Sequence, residues 1–180
     1  MKIRVDHIQD KPFSLRTEDP VDAFPVLAGI QANGECTFTA PVLTDIIAAR
    51  EFDHIRVSGG VSTRIELVCS RCLVAYEAPL ASAFTIYFRK AASPDLGEEE
   101  ETELAEEDLV SATYSGDEID LTHEIEEQVA MEIPLKPLCS EECKGLCPVC
   151  GTDMNRGSCS CQQEQTSFKF SALKDFKVSR

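Results

Sequence analysis

The residues from Cys139 to Cys161, CSEECKGLCPVCGTDMNRGSCSC, hold six of the chain's nine cysteines, and no other stretch restricts the fold so strongly. Cys147-Pro148-Val149-Cys150-Gly151 has the form of a knuckle, with two thiols three positions apart and glycine after the second. A tight turn of that kind points both sulfurs inward and lets backbone N–H groups face them. Cys139 and Cys143 precede the knuckle, and Cys159-Ser160-Cys161 follows it. Zn²⁺ takes four ligands at tetrahedral geometry, with Zn–S of about 2.3 Å, and cysteine pairs from separate turns supply that set.

Upstream lie one further pair, Cys69-Ser70-Arg71-Cys72, and the isolated Cys36. Cys36 reads as a small buried hydrophobe. The remaining eight thiols suffice for two sites of four. The compact partition joins Cys147, Cys150, Cys159 and Cys161 in one ribbon-like module. Cys69, Cys72, Cys139 and Cys143 then form a second site that clamps the middle of the chain to its tail. The expectation is two Zn²⁺ per chain. Disulfides are disfavoured in a reducing compartment. A thioredoxin-like pair at Cys69 and Cys72 would open a helix after a strand, whereas strand-like sequence flanks this pair on both sides.

Charge separates the chain into unlike parts. The 180 residues carry a net charge of −15, and residues 91–135 hold sixteen acidic side chains and no Lys or Arg. The acidity is therefore local, and no dense basic patch marks a nucleic-acid footprint. The N-terminus lacks the continuous apolar run of a secretory signal, and no apolar stretch approaches the roughly 20 residues that cross a bilayer. A soluble, cytoplasmic protein with no membrane partner is expected.

Hydrophobic periodicity supplies the elements. Lys2 to Ile8 alternates and predicts a first strand, while Phe13 to Ile30, interrupted by Pro20 and Pro25, reads as extended or loop. Gly34 to Ala40 predicts a second strand. Pro41 to Phe52 places Val42, Leu43, Ile46 and Ile47 at helical spacing behind a proline and predicts a short helix. His54 to Val68 is the clearest strand, with Gly59-Gly60 as a turn or bulge within it. Leu73 to Arg89 predicts a second long strand, which puts Cys69 to Cys72 at the tip of an antiparallel hairpin. Ala91 to Asp108 is an acidic connector whose composition favours disorder. Val110 to Tyr114 returns as a short strand. Asp120 then offers an N-cap to a helix marked by Leu121, Ile125 and Val129 and stopped by Pro134. His123 and Glu127 have the i,i+4 spacing of a metal pair, a spacing that is more often an ordinary exposed face. The tail spaces Phe170, Leu173 and Phe176 as a short amphipathic helix.

The fold class expected is α+β: a predominantly antiparallel β domain with a few short helices and a C-terminal zinc-ribbon-like cysteine module. The divisions are 1–90 for the β-rich domain with its CxxC hairpin, 91–118 for the flexible acidic linker, 119–138 for helix and hinge, and 139–180 for the metal-binding tail.

Several motifs now occur in a defined order: Cys69-Ser70-Arg71-Cys72-Leu73, the acidic linker, Ile119-Asp120-Leu121, then Pro137 through Gly151 (PLCSEECKGLCPVCG) and a terminal Phe-x-x-Leu-Lys tail. Together they resemble the bacterial large ribosomal RNA subunit accumulation protein family (YceD-like), over roughly Val57 to Phe176. Many members have Asp-Pro where this chain has Ser167-Phe168. The resemblance implies a role in accumulation or processing of large-subunit ribosomal RNA and carries across no catalytic residue.

The functional expectation is a non-enzymatic zinc-binding factor in ribosome biogenesis. Four-thiolate zinc has no open coordination position, so it builds a fold. His7, His54 and His123 are scattered, and no phosphate-binding glycine loop or nucleophile elbow is present. The alternative is a zinc-containing protein–protein adaptor or a thiol redox switch that does not act on RNA. Expected partners are precursor large-subunit ribosomal RNA or a ribosomal or assembly protein, with no small-molecule substrate. Arg71, Lys144, Lys169, Lys174 and Lys177 are the candidate contacts to RNA or partner. A site shared by the hairpin and the tail would bring Arg71 beside Lys144.

Overall fold

The structure, a computed structural model, describes residues 1–8, 11–91 and 111–161. The acidic connector from 92 to 110 lies outside the described residues. So do residues 162–180, with the expected tail helix and Lys169, Lys174 and Lys177.

Two long strands form the spine. β5 (His54–Val68) and β6 (Ala75–Lys90) pair antiparallel along their whole length, from His54 opposite Arg89 to Val68 opposite Ala75. Alternation along β5 buries Ile55, Val57, Val61, Ile65 and Leu67 on one face, as period-2 patterning requires. β4 (Val42–Glu51) pairs with the outer edge of β5, and β2 (Phe13–Asp19) with β4. The two-residue β3 (Thr37–Phe38) continues along β5 beyond the end of β4, and β7 (Ser111–Tyr114) runs parallel to β6. The sheet order is β2-β4-β5-β6-β7 with β3 beside β5. A separate antiparallel pair joins β1 (Lys2–Arg4) to β8 (Glu118–Asp120). β7 and β8 carry the two sheets into the stretch that the sequence assigned to the linker.

Two helices, α1 (Pro25–Ala32) and α2 (Thr122–Glu132), complete the layer over the inner face. Phe24, Leu27, Ile119, Leu121, Ile125 and Val129 join Ile46, Ile55, Ile65 and Phe88 in one core. The expected helix at 119–138 thus shares the core of the strands. Cys36 is buried in the same core, and that burial pushes its thiol up. Asp120 stands two residues ahead of α2, where its carboxylate accepts the Thr122 N–H at 3.0 Å. Among the described residues, no helix is long and apolar enough to cross a membrane.

Three readings of the sequence are corrected. Pro41 to Phe52 is not a helix but β4: Val42, Thr44, Ile46 and Ala48 point inward, while Leu43 and Ile47 lie nearly half exposed on the outer face. Apolar residues on both faces imitate a helical stripe, and pairing with strands on both edges decides the outcome. Pro25 does not lie in a loop but opens α1, a position that suits its missing N–H. No side chain near in sequence caps α1. The buried carboxylate of Glu126, on α2, accepts the Val26 N–H at 2.8 Å instead. Gly59-Gly60 is neither turn nor bulge, since pairing continues without interruption on both sides. Glycine is required there because β4 crosses close: a Cβ on Gly59 would lie 2.1 Å from the Asp45 carbonyl oxygen and 2.7 Å from Ile46 Cα.

Gly59→Ala therefore forces β4 away from β5 at the centre of the sheet. The expected loss is about 1–3 kcal/mol, the usual cost of overpacking, read as a lower urea midpoint at unchanged m-value.

Candidate metal centres

The hairpin joining β5 and β6 turns at Cys69-Ser70-Arg71-Cys72. Its backbone repeats that of the C-terminal knuckle. Leu73 N–H donates to Cys69 C=O at 3.0 Å, and Cys69 N–H to Val74 C=O at 3.0 Å. In the second knuckle Gly151 N–H donates to Cys147 C=O at 2.9 Å, and Cys147 N–H to Thr152 C=O at 2.8 Å. Two turns of one geometry, set 78 positions apart by their numbering, each present a pair of thiols.

The eight paired cysteines gather into two groups: Cys69, Cys72, Cys139 and Cys143, and Cys147, Cys150, Cys159 and Cys161. Within each group the sulfurs lie within 4.8 Å of one another. In the first, Cys69 Sγ is 3.8 Å from Cys143 Sγ, and Cys72 Sγ is 3.6 Å from Cys139 Sγ. A tetrahedral ion at about 2.3 Å from each sulfur sets sulfur–sulfur edges of about 3.8 Å, so the group has the size of such a site. Cys69, Cys72 and Cys143 are buried, packed against Tyr76, Leu138 and Leu146 as a small satellite core.

The electrostatics of the thiols point the same way. Burial pushes Cys69 up, but the N–H groups of Cys139, Cys72 and Arg71 outweigh it and bring the thiol to about 6. Its neighbour Cys139 is driven to about 12, chiefly by Cys72 and Cys143. The second group repeats the split. Cys150 falls to about 6, first through the Thr152 hydroxyl, whose oxygen is 3.1 Å from the sulfur. Cys161 rises to about 12 beside Cys150. Cys147 is lowered by the N–H groups of Cys150 and Val149, the knuckle amides directed at its sulfur. Four thiolates packed this closely cannot all ionise on their own, and a divalent cation removes the conflict.

The two groups are joined by residues that no motif marked. Asn155 donates from Nδ2 to Cys143 Sγ at 3.4 Å and accepts the Lys144 N–H at 2.8 Å, so a loop of the second group braces a sulfur of the first. Leu146 N–H donates to Arg71 C=O at 3.0 Å, Met154 N–H to Gly145 C=O at 2.9 Å, and Ser70 N–H to Pro137 C=O at 2.8 Å. Leu146 and Asp153 form an antiparallel bridge. Gly145 is buried at φ +72°, and a Cβ there would lie 2.9 Å from the Arg71 carbonyl oxygen. Its only sequence signal was a glycine between two cysteine pairs. Arg71 and Lys144 do come to the same knuckle, but in different roles. The Arg71 guanidinium donates to the Cys143 carbonyl at 2.8 Å and so buttresses the turn, while Lys144 is exposed. His123 Nε2 lies 3.1 Å from Glu127 Oε1 on the exposed face of α2, apart from both cysteine groups.

The family model described as "Large ribosomal RNA subunit accumulation protein YceD" matches residues 57–177, which include all eight of these cysteines. A relative from Arabidopsis thaliana, "Large ribosomal RNA subunit accumulation protein YCED homolog 1, chloroplastic", is 27% identical over 144 residues, covering 69% of this chain and 45% of that protein. The Zea mays protein of the same name is 29% identical over 147 residues, covering 68% and 49%. An uncharacterized protein of Mycobacterium tuberculosis (strain ATCC 25618 / H37Rv) is 35% identical over 102 residues, covering 57% and 46%. The chain thus spans about half the length of each of these relatives. No solved structure matches.

Gly145→Ala separates the two groups experimentally. The new methyl meets Arg71 backbone in a φ that L-residues avoid. After loading with ¹¹³Cd²⁺, the variant is expected to lose the cadmium resonance of the Cys69/Cys72/Cys139/Cys143 group while keeping that of the ribbon group.

Proposed function

Since the chain belongs to the family of the large ribosomal RNA subunit accumulation protein YceD, we propose that it is a non-enzymatic, zinc-stapled factor in the accumulation of large-subunit ribosomal RNA. The observation that carries this reading is the pair of four-thiolate groups inside the matched segment. Cys69, Cys72, Cys139 and Cys143 would hold one ion, and Cys147, Cys150, Cys159 and Cys161 the other. Zn²⁺ suits an all-thiolate set of tetrahedral size and needs no redox change. With four protein ligands it supplies folding energy rather than a reactive water, which is why no catalytic role is assigned to it.

Under this reading the C-terminal module is ribbon-like, and the first site holds it against the hairpin. The combined end of the molecule is then the surface offered to ribosomal RNA or to a ribosomal or assembly protein. The compartment is one that keeps thiols reduced, the cytoplasm of a bacterial cell; the plant relatives are named as chloroplastic.

Native mass spectrometry is expected to return two zinc ions per chain and one for Cys143→Ser. In cells depleted of the native copy, mature large-subunit ribosomal RNA should fall relative to small-subunit RNA. The wild-type chain should restore it, and a stably expressed Cys69→Ser/Cys143→Ser chain should not. Unchanged ribosomal RNA on depletion would overturn the ribosomal role, and a protein without zinc would overturn the staple. Chelation should expose residues 139–161 to protease before the β core, because the metal is the main source of order in so small a module.

A further inference from the structure

We propose that the tip of the β5–β6 hairpin is a docking site for a cationic protein segment, with Leu73 as its apolar anchor. The two knuckles share one backbone, and each needs a left-handed residue after its second cysteine. In the C-terminal knuckle that residue is Gly151, at φ +73°; in the hairpin it is Leu73, at φ +59°. Glycine takes this conformation freely, whereas a bulky L-residue is strained in it. Packing does not compensate, since Leu73 is 65% exposed. Val68 at the end of β5 is 55% exposed, and Val74 is 37% exposed. The fold therefore keeps a strained leucine within an apolar tip where glycine would serve the metal equally well. Strain at an exposed residue does not by itself mark a contact, since Phe52 shares it at φ +50°; at Leu73 it coincides with the exposed Val68 and Val74 and with a charged surround.

The charges around the tip define that contact. Glu66 and Glu77 stand directly opposite each other on β5 and β6, two register positions from Val68 and Ala75. Arg64 pairs with Glu77 at 3.6 Å. Glu141 and Glu142 are exposed on the loop that packs against the knuckle. The Arg71 guanidinium is turned into the carbonyls of Cys143 and Glu141. Each four-thiolate group would keep a net negative charge with a divalent ion bound. Against Arg64, Arg71, Lys136 and Lys144 stand these four carboxylates and the net negative charge of the metal-loaded thiolates, an excess that disfavours a phosphate backbone and attracts Lys- and Arg-rich protein. That the cationic partner belongs to the large ribosomal subunit rests on the function proposed above.

The test uses the full-length, metal-loaded chain and two probes: the RNA-free protein fraction of large ribosomal subunits, and transcribed large-subunit ribosomal RNA. Leu73→Gly is expected to weaken binding to the protein fraction about tenfold, the loss typical of an anchor residue. Its Tm should be no lower than wild type and its zinc content unchanged. Phe52→Gly removes the other exposed apolar residue at positive φ, 101% exposed at the β4–β5 turn, and should leave binding intact. A photo-crosslinker at position 73 should label a basic protein. Equal binding by Leu73→Gly, a lowered Tm, or binding to the RNA probe alone would each overturn the docking site. None of these touches the depletion result, so the ribosomal role stands or falls separately.

Discussion

Sulfur crowding is the constraint on which the C-terminal part of this molecule depends. Eight thiols approach within a few ångströms in two groups, and backbone amides and a hydroxyl pull Cys69 in the first and Cys147 and Cys150 in the second toward the thiolate while neighbours push Cys139 and Cys161 away. Such an arrangement is costly without a cation and favourable with one. Besides cysteines, residues 139–161 add only Leu146 to the satellite core, whose other apolar members are Tyr76 and Leu138. A segment with so little apolar burial does not fold by the hydrophobic effect alone.

The β sheet supplies what the cysteine module lacks, a rigid platform. The β5–β6 pair extends from the core, where Ile55 and Phe88 are buried, out to the Cys69–Cys72 turn. Because the hairpin is paired along its length, the sheet positions the first two thiols at its end. The tail meets them through Cys139 and Cys143, the buttressing Arg71 and the brace from Asn155. Closing a loop of about seventy residues carries a modest entropic cost, which grows only with the logarithm of its length. Much of that cost is met along the way, because Phe88, Ile119, Ile125 and Val129 of the intervening chain are packed in the core.

Charge acquires meaning only with this geometry. The net charge of −15 is dominated by one acidic stretch, and the rest of the sequence looks balanced. Folding changes the balance at the hairpin tip. It turns Arg71 toward carbonyls, sets Glu66 against Glu77, and lays the Glu141–Glu142 loop beside the knuckle. Arg71 and Lys144, alike in sequence as candidate contacts, part company there.

Local rules were enough for much of the chain. The alternation of β5 and β6, the hairpin tip, the start of α2 and the division of eight cysteines into two quartets were all legible, because each rests on residues adjacent in sequence or on ligand counting. Other features were decided at long range. β4 carries Leu43 and Ile47 on its outer face, so its pattern fits a helix as well as a strand until β2 and β5 pair with it. The cap of α1 comes from Glu126, a hundred positions away. Gly59 and Gly145 are needed only because another backbone passes close, and the strain at Leu73 exists only because the hairpin closes as a knuckle. The sequence by itself determined where the cysteine pairs and the two long hairpin strands would form, since those signals are local. The tertiary structure alone decided which groups would meet across the chain, because no one-dimensional pattern records the approach of two distant backbones.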